Sequence, residues 1–235
     1  MNIDIDCSYK TGVDMGRRGE HSKSEIENMA LEAAETLIEA QGYDGLSARK
    51  VASAIGYTVG SLYFVFKNLD ELVQRVNGRT LDKLYIKLSE SLKECRQPQD
   101  CLFVLGSAYL DYASQHAHRW RMVFEHQPQE EGLLTEIRED KVERIYALVE
   151  RQLMALTMNA APQSDITLAA RALWNGVHGI AILRNSSKLE TEGEQETVEP
   201  LMEHLISYYL AGLYAQQDSN VAQPGLNTGL QQRVV

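Results

Sequence analysis

Apolar residues recur three and four apart along most of this chain, and no stretch alternates with the period of two that a buried strand needs. The pattern predicts an all-α fold. Ile26, Met29, Ala30, Ala33, Leu37 and Ala40 mark one face of a first helix, which Gly42 stops. Ser24, followed three residues later by Glu27, reads as its capping box. Two short helical patterns then meet across Gly56-Tyr57-Thr58, with Ser47 capping the first and Thr58 the second. Asn68 with Glu71 reads as another capping box, opening a helix to about Lys93. Leu72, Val76, Leu81, Leu84, Ile86 and Leu88 make that helix apolar on more than one side, so it can touch two bodies at once.

Pro98 marks a break, and 101–115 is apolar nearly all round, as a central core helix would be. His118 to His126 is a short aromatic segment. Residues 130–158 carry a long amphipathic stripe of Leu134, Ile137, Val142, Ile145, Leu148, Val149, Leu153 and Leu156. Pro162 breaks it, and Ser164 or Asp165 starts a helix over 166–184. A charged loop over 188–197 precedes a last helix over 198–214. The remainder, 216–235, is polar with Pro and Gly and reads as disordered.

The densest signal lies between Ser47 and Phe66. Ala52 is small enough for a second helix to cross close by, and Gly56 can take the positive φ of an abrupt turn. Val51, Ile55, Tyr57 and Leu62 supply the shared seam. This is a helix-turn-helix arrangement, whose second helix can lie in the major groove of DNA. Leu62 and Phe66 face inward, leaving Thr58, Val59, Gly60, Ser61, Tyr63 and Phe64 for the outer surface. Hydroxyls on Thr58, Ser61 and Tyr63 suit phosphate oxygens, while Val59 and Phe64 suit a thymine methyl. Gly60 allows close approach. Ser47 caps a helix whose positive end favours phosphate, and Arg49, Lys50 and Lys67 add charge nearby. The bland alternative is that Tyr63 and Phe64 complete a small core.

Composition changes the picture in three places. Hydrophobic residues are 44% and charged residues 24% of the 235, ordinary for a globular chain. A net charge of −10 argues against indiscriminate nucleic-acid binding, yet Arg49, Lys50, Lys67, Arg75, Arg79, Lys83 and Lys87 outnumber the acids in their stretch. Arg17 and Arg18 read as part of a solvated arm ahead of a minor-groove contact. Met1 to Met15 has no apolar core and is no secretory signal, and no apolar run approaches the roughly 18 residues that span a bilayer. Three cysteines, Cys7, Cys95 and Cys101, are too few for a disulfide framework, so a reducing cytoplasm is expected. Cys95 and Cys101 read as core residues ahead of a redox pair.

Other constellations carry less. His116, His118 and His126 lack the spacing and partners of a metal site, so no metal or cofactor is expected. No nucleophile elbow, phosphate loop or dinucleotide glycine run is present, so the chain does not read as an enzyme. His178 lies four residues after Trp174 on an apolar helix, where a core histidine is slightly favoured over a ligand contact. In the second reading, Tyr112, Trp120, Phe124, Tyr146, Trp174 and His178 line a small-molecule cavity.

Taken together, Gly42-Tyr43, Ser47, Val51-Ala52, Gly56, Gly60-Ser61-Leu62-Tyr63, Phe66 and Glu71-Leu72 resemble the TetR/AcrR regulators, over about 24–76. Trp174, His178 and Gly179, with Tyr109-Leu-Asp-Tyr-Ala upstream, are similar to a subgroup with a Trp-His-Gly signature in its ligand domain. The resemblance implies nine helices, a homodimer built on the last two, and a cavity for a small effector that releases the dimer from a near-palindromic DNA operator. It divides the chain into an arm (1–22), a helix-turn-helix domain (23–72), an effector and dimerisation domain (73–217) and a tail (218–235). Leu69 stands where the family commonly has a phosphate-binding Lys, Val59 replaces a polar residue, and Val65 a frequent His. The competing expectation is an all-helical small-molecule-binding or protein-interaction module with weak or no DNA binding.

Overall fold

The computed structural model describes residues 21–129, 132–157, 161–186 and 198–221, and among them it contains nine helices and no strand. The expected arm before His21, the charged loop over 188–197 and the tail beyond Val221 lie outside the described residues.

Helix α1 (Lys23–Gln41) starts two residues earlier than its expected box. Ser22 caps it: the Glu25 amide donates to the Ser22 hydroxyl at 3.3 Å, and Glu25 accepts from the Ser22 amide at 2.6 Å. Those contacts hold the exposed Glu25 carboxyl below its usual range. Both Ser-x-x-Glu pairs fit the motif, but Glu27 is drawn to Arg75 of a later helix instead. Ser22→Ala is therefore expected to cost about 1 kcal/mol of stability. Ser24→Ala, inside the first turn, should stay within about 0.5 kcal/mol of neutral in the same urea titration.

The buried face of α1 is also turned from expectation. Ala30, Leu31, Ala34 and Ile38 are buried, whereas Ile26, Ala33 and Leu37 form its half-buried edge and Ala40 is exposed. Leu31 and Ile38 are larger than the alanines of the expected stripe, and their side brings Glu35 inward against basic partners. Gly42 ends the helix at φ 71°, its amide returned to the Ile38 carbonyl at 2.8 Å.

After one 3-10 turn (Tyr43–Gly45), α2 (Ala48–Ala54) and α3 (Val59–Val65) are both seven residues long. Gly56 sits between them at φ 74°, a conformation that residues with a Cβ rarely take. Ser47 accepts from the Lys50 amide and Thr58 from the Ser61 amide, both at 3.2 Å. Val51, Leu62, Val65 and Phe66 join the α1 residues and Leu72, Val73 and Val76 in one small core. Val65 is thus a core residue, which accounts for an apolar side chain there.

Helix α4 (Leu69–Ser91) serves two cores. Its first half gives Leu72, Val73 and Val76 to the head, and its second gives Leu81, Leu84 and Leu88 to the body. The Asn68 side chain caps it from the Glu71 amide, but Glu71 accepts from the Lys67 amide, so the box is only half formed. Helices α5 (Pro98–Gln115), α6 (Ala117–Glu125), α7 (Leu133–Leu156), α8 (Gln163–Arg184) and α9 (Glu199–Val221) complete the body. Pro98 opens α5 at a position where its missing amide hydrogen costs nothing. A Cβ on Gly106 would lie 2.5 Å from the Met202 sulfur, so α5 and α9 cross closely there. Helix α9 runs past the expected end at Tyr214 as far as Val221.

Two further expectations change. Cys95 and Cys101 are joined as a disulfide across the α4–α5 turn, where the sequence favoured separate core thiols. They are six positions apart in the sequence, and the turn brings their Cα atoms to 5.6 Å. Helix α8 is long and apolar enough to cross a membrane by composition, contrary to the expectation of no such run. Its Ile166, Ala170, Leu173, Trp174, Val177 and Ala181 are buried in the body core, as in a central helix of a folded bundle.

Candidate DNA-binding face and effector cavity

Helix α3 buries Leu62 and Val65, with Phe66 just beyond its end, and leaves Tyr63 47% and Phe64 70% exposed. Thr58 and Gly60 are exposed beside them, while Val59 and Ser61 are half-covered. Tyr63 and Phe64 therefore do not complete the small core. The Thr58 and Ser61 hydroxyls lie 3.0 Å apart; one proton joins them and the other is left for an outside acceptor.

Charge around this face is arranged differently from the linear sequence. Lys50 donates to Gln41 Oε1 at 2.9 Å and to the Gly45 carbonyl at 2.7 Å, so it braces the α1–α2 connection. Arg75 pairs with Glu27 and Glu71, while Arg79 and Lys83 meet Glu35. Acids of α1 thus neutralise much of the basic stretch. Arg49 stays exposed, and the Lys23 ammonium stands 5.6 Å from the centre of the Phe64 ring. Lys23 had no motif to mark it. The His21 ring meets the Tyr57 hydroxyl at 2.8 Å, tying the start of α1 to the turn. Leu69 packs against the head core at the position where a phosphate-binding Lys was expected.

Helix α6 docks the head onto the body. Arg119, only 7% exposed, donates to Glu39 at 2.6 Å and to Glu35 at 3.3 Å. Its second NH group donates to His116 Nδ1 at 3.0 Å, and His118 Nδ1 meets the Glu39 carbonyl at 2.9 Å. His126 lies 2.8 Å from Asp70 at the start of α4. The three histidines flanking Trp120 are thus turned toward α1 and α4. Among the described residues, no group of three or more His, Cys, Asp or Glu side chains is placed to hold a metal ion.

Two cavities share His178 and Phe124. One, of about 360 Å³, is bounded also by Trp120, Arg121, Ile182 and Asn185. The other, of about 300 Å³, is bounded also by Leu84, Tyr109, Arg138, Tyr146, Trp174 and Asn175. Five of the six expected lining residues therefore meet here. Tyr112 does not: it is buried, its hydroxyl donates to the Thr80 carbonyl at 3.1 Å, and burial pushes its pKa up to about 12. It is a strut between α5 and α4.

Tyr109 takes the place expected for Tyr112. Trp120 Nε1 donates to its hydroxyl at 3.1 Å, and that hydroxyl lies 2.6 Å from His178 Nδ1. The Trp174 ring packs at a tilt against Tyr109, centroids 4.4 Å apart, while Phe124 meets His178 edge-on at the same distance. Desolvation raises the Tyr109 pKa well above that of a free phenol and holds His178 below the ordinary imidazole value. A neutral His178 inside an aromatic wall can orient a ligand without adding charge.

Comparison with known proteins gives a consistent picture. Residues 30–76 match the family described as bacterial regulatory proteins, tetR family, and residues 102–209 match tetracyclin repressor-like, C-terminal domain. Together the two matches cover more than half of the chain. An uncharacterised HTH-type transcriptional regulator of Mycobacterium tuberculosis is 29% identical over 90 residues, 38% of this chain. That match spans only 41% of the relative's own length. A protein of unknown function from Rhodococcus shares the fold at TM-score 0.66 and 20% identity, covering 84% of this chain and 98% of that one. The TetR family transcriptional regulator PfmR of Thermus thermophilus shares it at TM-score 0.55 and 19% identity, covering 78% and 98%.

Proposed function

The chain belongs to the TetR family of bacterial regulatory proteins, and from that premise we propose a cytoplasmic, ligand-responsive transcriptional repressor acting as a homodimer on DNA. The observation that carries the DNA half is the outer face of α3. It presents hydroxyl and apolar side chains to solvent while Leu62, Val65 and Phe66 anchor the helix from behind. Ser47, Thr58, Ser61 and Tyr63 would meet phosphate oxygens, Val59, Gly60 and Phe64 the base edges, and Arg49 and Lys67 supply charge. Lys50 would contribute by fixing the turn. The subgroup reading rests on Trp174, His178 and Gly179 with the Tyr109-Leu-Asp-Tyr-Ala stretch upstream.

The effector half rests on the two cavities and on α4, which belongs to both cores. A ligand beside Leu84 and Trp174 would favour one tilt of α4. The two heads of a dimer would then leave the spacing that fits successive major grooves. Moving such an equilibrium from 1:99 to 99:1 takes about 5.5 kcal/mol of differential affinity. For the dimer, α8 and α9 are the proposed surfaces, because both carry large apolar side chains outward. In the cytoplasm the Cys95–Cys101 pair would be held mainly as thiols.

A gel shift with the chain's own intergenic DNA tests the reading. The folded dimer should retain a specific duplex with affinity falling steeply as salt rises. Tyr63→Ala should weaken retention roughly tenfold without changing helical content. A well-folded dimer that shifts no duplex at low salt would exclude the DNA role.

A further inference from the structure

The effector reading above leaves the ligand's chemistry open, and the hydrogen bonds around the cavities narrow it. Trp120 Nε1 can only donate, so the Tyr109 oxygen accepts at 3.1 Å. Tyr109 is fully buried, and the neighbour left for its own proton is His178 Nδ1 at 2.6 Å. Nδ1 therefore accepts, and the neutral ring carries its hydrogen on Nε2. Nε2 has no partner among the described residues, and the half-buried ring bounds both cavities. One donor thus stands where the cavities adjoin.

Two neighbours add donors. Asn175 Oδ1 accepts from the Tyr146 hydroxyl at 3.1 Å, which leaves the amide NH₂ group for another partner. The Arg138 guanidinium has no counter-ion among the described residues, and its Nε is buried without a hydrogen bond. Acids near these groups are occupied or solvated. Glu143 is held by Arg171 at 2.6 Å, Glu125 by Arg121 at 3.1 Å, and Glu139 is exposed at the rim. A buried donor without a partner is unfavourable, and a charged one more so. The unfilled hydrogen-bonding capacity inside the cavity is therefore mostly donor: the Arg138 guanidinium lacks an ion pair among the described residues, while the Glu139 carboxylate faces solvent at the rim. Beyond it the wall is apolar, built from Leu81, Leu84, Val142, Ile145 and Trp174.

We propose that the effector is a carboxylate with an apolar body, its oxygens taking the donors of His178, Asn175 and Arg138 and its hydrocarbon lying along α4 and Trp174. A cationic amphiphile would oppose Arg138 and leave its guanidinium unsatisfied. A neutral alcohol would engage fewer donors and none of the charge. The proposal rests on the cavities being the effector site, so its test separates the two claims.

Decanoate, decan-1-ol and decylammonium share one chain and differ only in the head group. Each is titrated below its micelle concentration into the purified full-length dimer. Trp120 and Trp174 are the chain's only two tryptophans and lie one in each cavity, so intrinsic fluorescence reports occupancy. Decanoate should bind saturably and about tenfold more tightly than decan-1-ol. Arg138→Met should weaken decanoate about tenfold and leave decan-1-ol unchanged, with Arg138→Lys restoring part of the loss. Circular dichroism checks that each variant is folded. Equal or tighter binding of the alcohol or the ammonium overturns the carboxylate assignment and leaves the cavity reading standing, as does an Arg138→Met protein that binds decanoate normally. No binding by any of the three overturns both.

Discussion

Glu35→Ala is expected to lower the free energy of unfolding by about 3 kcal/mol, near the lower end for breaking a buried ion pair. Glu35 is 8% exposed and sits among three cations from two other helices: Arg79 and Lys83 of α4 and Arg119 of α6. Arg79 lies 2.8 Å from Oε1 without hydrogen-bond geometry, so it acts there as a nearby charge. Lys83 and Arg119 bond the other oxygen. Without the carboxylate, Arg119 keeps Glu39 but the cluster gains an uncompensated positive charge in a poorly solvated place. The retained Glu39 contact is why the loss should not reach the top of the range. Lys83→Ala, whose side chain is 43% exposed, should cost less than about 1 kcal/mol. Urea unfolding of both variants provides the comparison. If they lose equally little, the cluster is a surface network and the head is held by apolar contacts alone.

That cluster also marks where sequence reasoning stopped. The helices themselves were legible because a period of 3.6 survives local noise, and the α2–α3 unit was legible because Ala52, Gly56, Leu62 and Phe66 each have a steric reason for their place. The turned face of α1 was not. Counting apolar residues cannot foresee that Glu35 goes inward, since the cations that make its burial tolerable come from 44 or more residues away. The same limit hid the role of α6: His116, His118 and His126 showed no metal-ligand spacing in the sequence, and only the fold brings His116, His118 and Arg119 to Glu39.

In the cavity the error was one of register. Tyr109 and Tyr112 are three apart on α5 and share a side, and only the packed structure shows which meets Trp120 and His178 and which meets Thr80. At the DNA face the sequence could not show which side chains are available. Lys50 looked free until the α1–α2 connection placed Gln41 and Gly45 against it. A basic residue's use depends on which acceptor the fold sets against it.

A charge on the outer side of α9 is expected to have the largest effect on function. Leu201 and Tyr208, seven residues apart, lie on one stripe of that helix, with Tyr208 68% exposed. Leu168 and Ile182 make a second stripe on α8, with Leu168 70% exposed. Such side chains lose favourable burial when left in water, and a second copy of the chain can cover both stripes in one four-helix contact. Leu201→Asp would place a carboxylate on that apolar stripe in each copy, where burial against the partner would desolvate it. Because Leu201 is already exposed in the protomer, helical content should be retained while sedimentation reports a monomer. Operator affinity should then fall by roughly 10²–10⁴, since each head must bind its half-site without the effective concentration supplied by its partner. Leu133→Asp, at a still more exposed position at the start of α7, should leave both dimer and operator binding intact. A Leu201→Asp protein that stays dimeric would move the interface away from α8 and α9, and one that becomes monomeric yet binds the full operator normally would show that the two heads are not read together.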